Sequence, residues 1–253
     1  MKQLIKKATI ALHIYPIVQN WRNKKIRKRT FEKAGKEIAF NAQFIKKDKL
    51  CFDIGANMGY KSDIFLSLGA KVIAVEPQPQ CVKQLKKHFR NNKNITVLDI
   101  GLAEKKGELE LFICDEASTI TTMSDKWKDE GRFSEDFNWN TKIVVKVDTL
   151  DNLIQKYGTP HFCKIDVEGF EESVLKGLSS PIPFISFEFT KEFFGDVNVI
   201  LNHLMTIGNI KVNFSLYDNY ALHFREYVNP DTLYKTITSM DGKLNGDIYV
   251  NFI

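Results

Sequence analysis

Three short runs hold residues whose types and spacing could do chemistry. In "CFDIGANMGYKSD" an apolar run ends on Asp53, and Gly55, Asn57 and Gly59 follow at alternate positions. "HFCKIDVEGFEESVLKG" delivers Lys164, Asp166 and Glu168 at alternate positions and then Gly169, while "FISFEF" carries Glu188 to its end. Glycines at the end of a buried strand let backbone approach a nucleotide-like ligand closely. Neighbouring carboxylates raise one another's pKa, which moves one of them toward general-base duty.

The ligand can be narrowed by its charge. A dinucleotide turn reads G-x-G-x-x-G, so that a helix N-terminus meets a pyrophosphate. Here the turn reads Asp53-x-Gly55-x-Asn57-x-Gly59, and the carboxylate ending the strand would repel linked phosphates. It would suit a ligand with an amino group and a positive sulfur. Glu76, 21 residues after Gly55 in "VIAVEP", is placed to accept both hydroxyls of a ribose. Together these features describe S-adenosylmethionine. Taken singly, Asp53 could be a helix cap and Glu76 an exposed charge at a strand end. Gly101 and Leu102, following "ITVLD", could bracket an adenine ring or simply turn the chain into "ELELFI".

The elements that must position these residues alternate in type from residue 50 onward. Strands are expected at Leu50–Ile54, Lys71–Val75, Ile95–Asp99, His161–Asp166 and Phe184–Phe189. Helices are expected at Tyr60–Leu68, Pro79–Phe89, Thr149–Tyr157, Phe170–Leu178 and Val197–Ile207. That order predicts an α/β sheet with helices on both faces. "ELELFI" and "KIVVKV" alternate with period two and flank residues 114–141, a segment with two Trp and two Phe but little periodicity. A connection that long is commonly functional or mobile; it reads as a substrate lid or as an insertion with its own small helix. "IKVNFSLY" and "DIYVNFI" read as a closing antiparallel pair.

Composition excludes some classes. At 253 residues and 43% apolar, the chain can bury a full core. Residues 1–49 hold 14 Lys/Arg against 3 Asp/Glu, and the remainder 22 against 28, so a basic arm precedes a mildly acidic body. Such a body gives no electrostatic footprint for nucleic acid. Four scattered cysteines without a C-x-x-C pair suggest reduced thiols and a cytoplasmic protein, and neither they nor the five histidines suggest a metal. The arm begins with an amphipathic stretch broken by His13 and Pro16, too short to span a bilayer and lacking a cleavage site. It is either a surface helix or a peripheral contact with the inner face of an anionic membrane.

"FDIGANMGYKS", "VIAVEPQPQ", "VDTLDNLI" and above all "KIDVEGFEESVLKG" resemble the FkbM-type family of S-adenosylmethionine-dependent methyltransferases over roughly residues 50–210. The resemblance implies a Rossmann-like class I fold over 50–253, with a seven-stranded, mostly parallel sheet and an antiparallel last strand. It implies methyl transfer to oxygen, typically on a sugar, glycan or other small natural product. Asp53, Gly55, Asn57, Gly59 and Glu76 fall on its cofactor positions, Asp166, Glu168 and Glu171 on its acidic motif, and Glu188 on its later strand-end acid. The arm, the 114–141 segment and the tail lie outside the resemblance. Action on protein or nucleic acid, or a silent membrane-peripheral protein with this fold, are the competing readings.

Overall fold

The computed structural model describes residues 34–114, 117–217 and 219–253. The amphipathic stretch and basic cluster of the arm lie outside these residues. Among the described residues, no helix is long and apolar enough to cross a membrane.

Seven strands form the main sheet: β1 (Leu50–Ile54), β2 (Lys71–Val75), β3 (Ile95–Leu98), β7 (Phe162–Ile165), β8 (Phe184–Thr190), β9 (Ile210–Leu216) and β10 (Asn245–Phe252). Their order is β3-β2-β1-β7-β8-β10-β9. β10 runs antiparallel to both neighbours while the pairings from β3 to β8 are parallel, so one reversed strand sits between β8 and β9. This is the class I methyltransferase architecture that the motif order implies. A second, three-stranded sheet joins β4 (Gly101–Leu102), β6 (Thr141–Asp148) and β5 (Gly107–Ile113). The expected "ELELFI"–"KIVVKV" pair is its antiparallel half, from Gly107 opposite Val147 to Ile113 opposite Thr141.

The helices are α1 (Gly35–Asn41), α2 (Tyr60–Ser67), α3 (Pro79–His88), α4 (Asp125–Glu130), α5 (Leu150–Tyr157), α6 (Glu171–Lys176), α7 (Phe194–Ile207) and α8 (Pro230–Ser239). α5 starts where the Thr149 side chain accepts from the Asn152 N–H, and α8 starts likewise at Asn229 with Pro230 following. α8 is absent from the periodicity reading, because only Leu233 and Ile237 of its ten residues are buried. Residues 34–49, grouped by sequence with the arm, pack on the sheet. Phe44 is 2% exposed and stacks between Phe162 and Tyr249, with ring centroids 5.5 and 4.8 Å away.

Strand alternation sorts side chains onto two faces. Phe52, Ile54, Cys163, Ile165, Ile185, Phe187, Ile248 and Val250 face one core, shared with α5 to α8. Cys51, Val72, Ala74, Phe162 and Tyr249 face the other, with α1 to α3. The register places Asp53 beside Lys164, Lys164 beside Ser186, and Glu188 beside Asp247. A row of polar residues therefore crosses the sheet at its carboxyl edge.

Candidate active site

The glycine turn leaves β1 with Gly55 at φ +79°. A Cβ there would stand 1.8 Å from the Asp166 carbonyl oxygen, so only glycine lets the turn pass so close to the end of β7. The N–H groups of Gly55 and Ala56 both donate to the Val75 carbonyl at 3.0 Å. Glu76, 6% exposed, then ties the turn to β2: Oε2 accepts from the Asn57 N–H at 2.7 Å and Oε1 from the Gln78 N–H at 2.8 Å. Each oxygen keeps a lone pair for a ligand hydroxyl. Burial pushes the Glu76 carboxyl up to about 7, with the two N–H donors pulling against it.

A cavity opens over this turn. Gly55, Asn57, Glu76, Gly101, Leu102, Asp166 and Glu168 line it, together with Val75, Val167, Ser118, Thr119 and Thr121–Met123. Asp53 and Gly59 do not. Asp53 is 1% exposed and accepts from Ser62 Oγ at 2.5 Å beneath the turn, its carboxyl raised by burial. Gly59 precedes α2 in a left-handed conformation. Gly101 and Leu102 are buried in β4, where a Cβ on Gly101 would press on Met123.

The 114–141 segment, which by sequence reads as a substrate lid or as an insertion with its own small helix, contains the helix α4, and its Ser118, Thr119 and Thr121–Met123 form one side of the cavity. Asn57 Nδ2 donates to the Ser118 carbonyl at 3.1 Å, and Thr122 Oγ1 donates to the Glu168 carbonyl at 2.7 Å. Beyond them, α4 anchors the segment. Its Trp127, 3% exposed, packs on Gly169, Phe133 and Phe193, and Arg132 holds Glu192 through two hydrogen bonds. The cavity measures about 110 Å³, below the roughly 300–1,000 Å³ of most small-molecule sites. Short-range periodicity cannot disclose such a wall, because its contacts are all made through space.

At the sheet edge, carboxylate oxygens of Asp166, Glu168 and Glu188 lie within 4.8 Å of one another. Glu168 holds a left-handed backbone at φ +53°, uncommon for a non-glycine residue and typical of strained functional turns. Lys164, buried, donates to Asp166 Oδ2 at 2.5 Å, the internal pairing its position suggests. Burial acts to raise the Asp166 carboxyl, but the Lys164 ammonium outweighs it and holds the group below its usual range. Glu168 and Glu188 are driven well above theirs, first by burial and then by the Asp166 charge. Asp166 is thus the strongest acid of the three, and Glu168 and Glu188 are the weaker ones. Three oxygens this close also match the spacing of hard-cation ligands, although Lys164 already brings a positive charge to the group. Glu171 accepts from the Val167 N–H at 2.9 Å, and burial raises it to about 7.

A second cleft, of about 310 Å³, lies across Asp166 from the first. Lys61, Lys164, Asp166, Glu188, Tyr217, Asn245 and Asp247 line it, and Asp166 belongs to both walls. All four cysteines are free and buried, and the Cys81 thiol donates to Gln78 Oε1 at 3.1 Å beside the glycine turn.

Comparison with known proteins places this geometry. The chain is similar to the hexuronic acid methyltransferase AglP of Haloferax volcanii, 27% identical over 146 residues that cover 56% of this chain and 55% of that protein. It is also similar to the methyltransferase sdnD of Sordaria araneosa, at 26% identity over 54% of this chain and 69% of the relative. The chain thus spans about half the length of the first of these relatives. Among solved structures, it is similar to the precorrin-6y C5,15-methyltransferase of Geobacter metallireducens GS-15, with a TM-score of 0.45 and 11% identity over 86% of this chain and 87% of that one. The family model described as the methyltransferase FkbM domain matches residues 53–207, from the end of β1 through the acid cluster to the end of α7. That match takes in more than half of the chain, and the chain belongs to the FkbM methyltransferase domain family.

Proposed function

We propose that this protein is an S-adenosylmethionine-dependent O-methyltransferase acting on a hydroxyl of a sugar, glycan or related small molecule. Family membership implies S-adenosylmethionine as methyl donor. The observation carrying the finer reading is the shared wall: the cavity over the glycine turn and the polar cleft beyond it meet at Asp166. A relative named for methylating a hexuronic acid agrees with a sugar acceptor.

The donor set suits an adenosyl ligand. The Glu76 carboxylate faces the cavity with room for a vicinal diol, and Val75, Leu102 and Met123 offer apolar contact to a flat ring. Gly55 and Asn57 bring backbone and amide to the same cavity. Asp53, sequestered by Ser62, acts on this site through its charge and through the position of the turn.

When bound, S-adenosylmethionine supplies an electrophilic sulfonium methyl group. Asp166, kept ionised by Lys164, orients the acceptor hydroxyl by accepting its hydrogen bond. Holding that oxygen in a fixed place and orientation would supply most of the acceleration. An alcohol loses its proton only as the new bond forms, and the proton passes into the cluster of Asp166, Glu168 and Glu188. The rim of half-buried carboxylates serves that transfer and disfavours linked phosphates.

Calorimetry on the full chain with S-adenosylhomocysteine and with NAD tests the donor. Transfer of a labelled methyl group into a sugar or glycan fraction tests the acceptor class. Binding of NAD in place of the nucleoside, or label appearing only in protein or nucleic acid, would refute this reading.

A further inference from the structure

We propose that the cleft across Asp166 is the acceptor site, and that it selects an uncharged sugar ring over a uronate. The inference rests on the methyltransferase reading above and adds a place, a charge rule and named residues.

Three observations carry it. The cleft, about 310 Å³, touches the donor cavity only through Asp166, so an acceptor lying in it presents a hydroxyl to the acid cluster. Its cations are already committed: Lys61 bonds the buried Glu37, and Lys164 bonds Asp166. With Asp166 compensated by Lys164, the carboxyl groups left in excess are Glu188 and Asp247, opposite one another in the β8–β10 register. Hydroxyl groups donate well to such a wall, whereas a carboxylate on the acceptor would meet like charge.

Tyr217 supplies the remaining feature of a sugar site. It is 49% exposed at the rim, its backbone holds φ +51°, and its N–H donates to the Asn245 carbonyl at 2.9 Å. A tyrosine held out in a left-handed conformation is strained unless neighbouring structure enforces it. Its ring offers an apolar face for the C–H face of a pyranose, while Asn245 and Asp247 take the hydroxyl edge.

The test uses the full chain saturated with S-adenosylhomocysteine, titrated with neutral methyl hexosides and with the matching methyl hexuronosides. Amide NMR shifts are the readout. Saturable shifts are expected at Tyr217, Asn245 and Asp247, with the hexuronosides at least ~10-fold weaker, as like charge in a partly buried cleft requires. In labelled-methyl assays, Tyr217→Ala should raise KM about 3- to 10-fold by losing a stacking face, with unchanged affinity for S-adenosylhomocysteine. Asp247→Asn should narrow the gap between neutral and anionic acceptors. Shifts located elsewhere, no shifts with any sugar, or a preference for hexuronosides would overturn the proposal. Failure to bind S-adenosylhomocysteine would instead overturn the reading beneath it.

Discussion

The carbonyl oxygen of Asp166 occupies the space that a β-carbon on Gly55 would need, at 1.8 Å. The turn after β1 and the acid motif after β7 are therefore one packed unit. Neighbouring strands put them side by side, with Ile54 paired to Ile165. Gly55→Ala must push the two apart and also hold alanine at φ +79°. Left-handed strain alone costs about 1–3 kcal/mol, and the clash adds to it. A melting temperature lower by at least ~5 °C is expected, at roughly 2–4 °C per kcal/mol for a chain of this size. Calorimetry should show nucleoside binding lost with it, while a variant as stable as the parent would contradict the contact.

Glu76 should make donor binding pH-dependent. Its carboxyl rises to about 7, so below that value the folded chain keeps a proton that the unfolded chain releases. Folding stability contributed by this group therefore falls as pH rises from the ordinary glutamate range toward 7, and is flat above it. Binding runs the opposite way, because the ionised group accepts ribose hydroxyls better. Affinity for S-adenosylhomocysteine should climb as pH rises through about 7, by at most ~10-fold per pH unit for one proton. Glu76→Gln should abolish that slope and weaken binding by roughly 10- to 100-fold, the scale of hydrogen bonds to a charged group.

The acid cluster predicts a split between binding and turnover. Asp166→Asn should still bind S-adenosylhomocysteine yet turn over at least ~100-fold more slowly, the usual loss for a general base or its orienting partner. Lys164 keeps Asp53 and Asp247 as neighbouring counter-charges, which limits the structural damage. In the parent, kcat should rise with pH until the group formed with Glu168 and Glu188 releases a proton, since burial and the Asp166 charge raise both. Glu188→Gln removes one of the interacting acids and should move that rise to lower pH. Near-normal kcat in Asp166→Asn would remove this residue from the chemistry.

Much of this arrangement was legible before any coordinates. Short apolar runs at or beside Asp53, Glu76, Asp166 and Glu188 identify strands, and strands of a parallel sheet deliver such ends to one edge. The pairing of Lys164 with a neighbouring acid followed from its place two residues before Asp166. The burial of Asp53 did not follow. Whether a strand-end carboxylate faces a ligand or a serine depends on Ser62 from α2, nine residues away. The sequence offered 114–141 as a lid or an insertion, but not which of its residues meet the cavity, because contacts such as Trp127 on Gly169 join distant parts of the chain. The second cleft escaped notice for the same reason. Lys61, Tyr217 and Asp247 come from α2, the end of β9 and β10, and only the strand order brings them together.

Trp127 is the anchor on which the cavity wall depends, and its chemistry allows a clean test. The indole packs on Gly169, where a Cβ would come within 2.9 Å of the Trp127 Cβ, and against Phe133 and Phe193. Its Nε1 is buried without a hydrogen-bond partner among the described residues, so the ring contributes apolar contact while its donor costs free energy. Trp127→Phe should be tolerated within about 1.5 kcal/mol, because the smaller ring also removes the unmet donor. Trp127→Ala should cost about 3–5 kcal/mol if α4 stays docked. If α4 undocks instead, global stability falls less and the 117–131 amides lose protection from hydrogen exchange, with weaker nucleoside binding. Equal behaviour of the two variants in stability, exchange and binding would show that packing on Gly169 does not hold the wall in place.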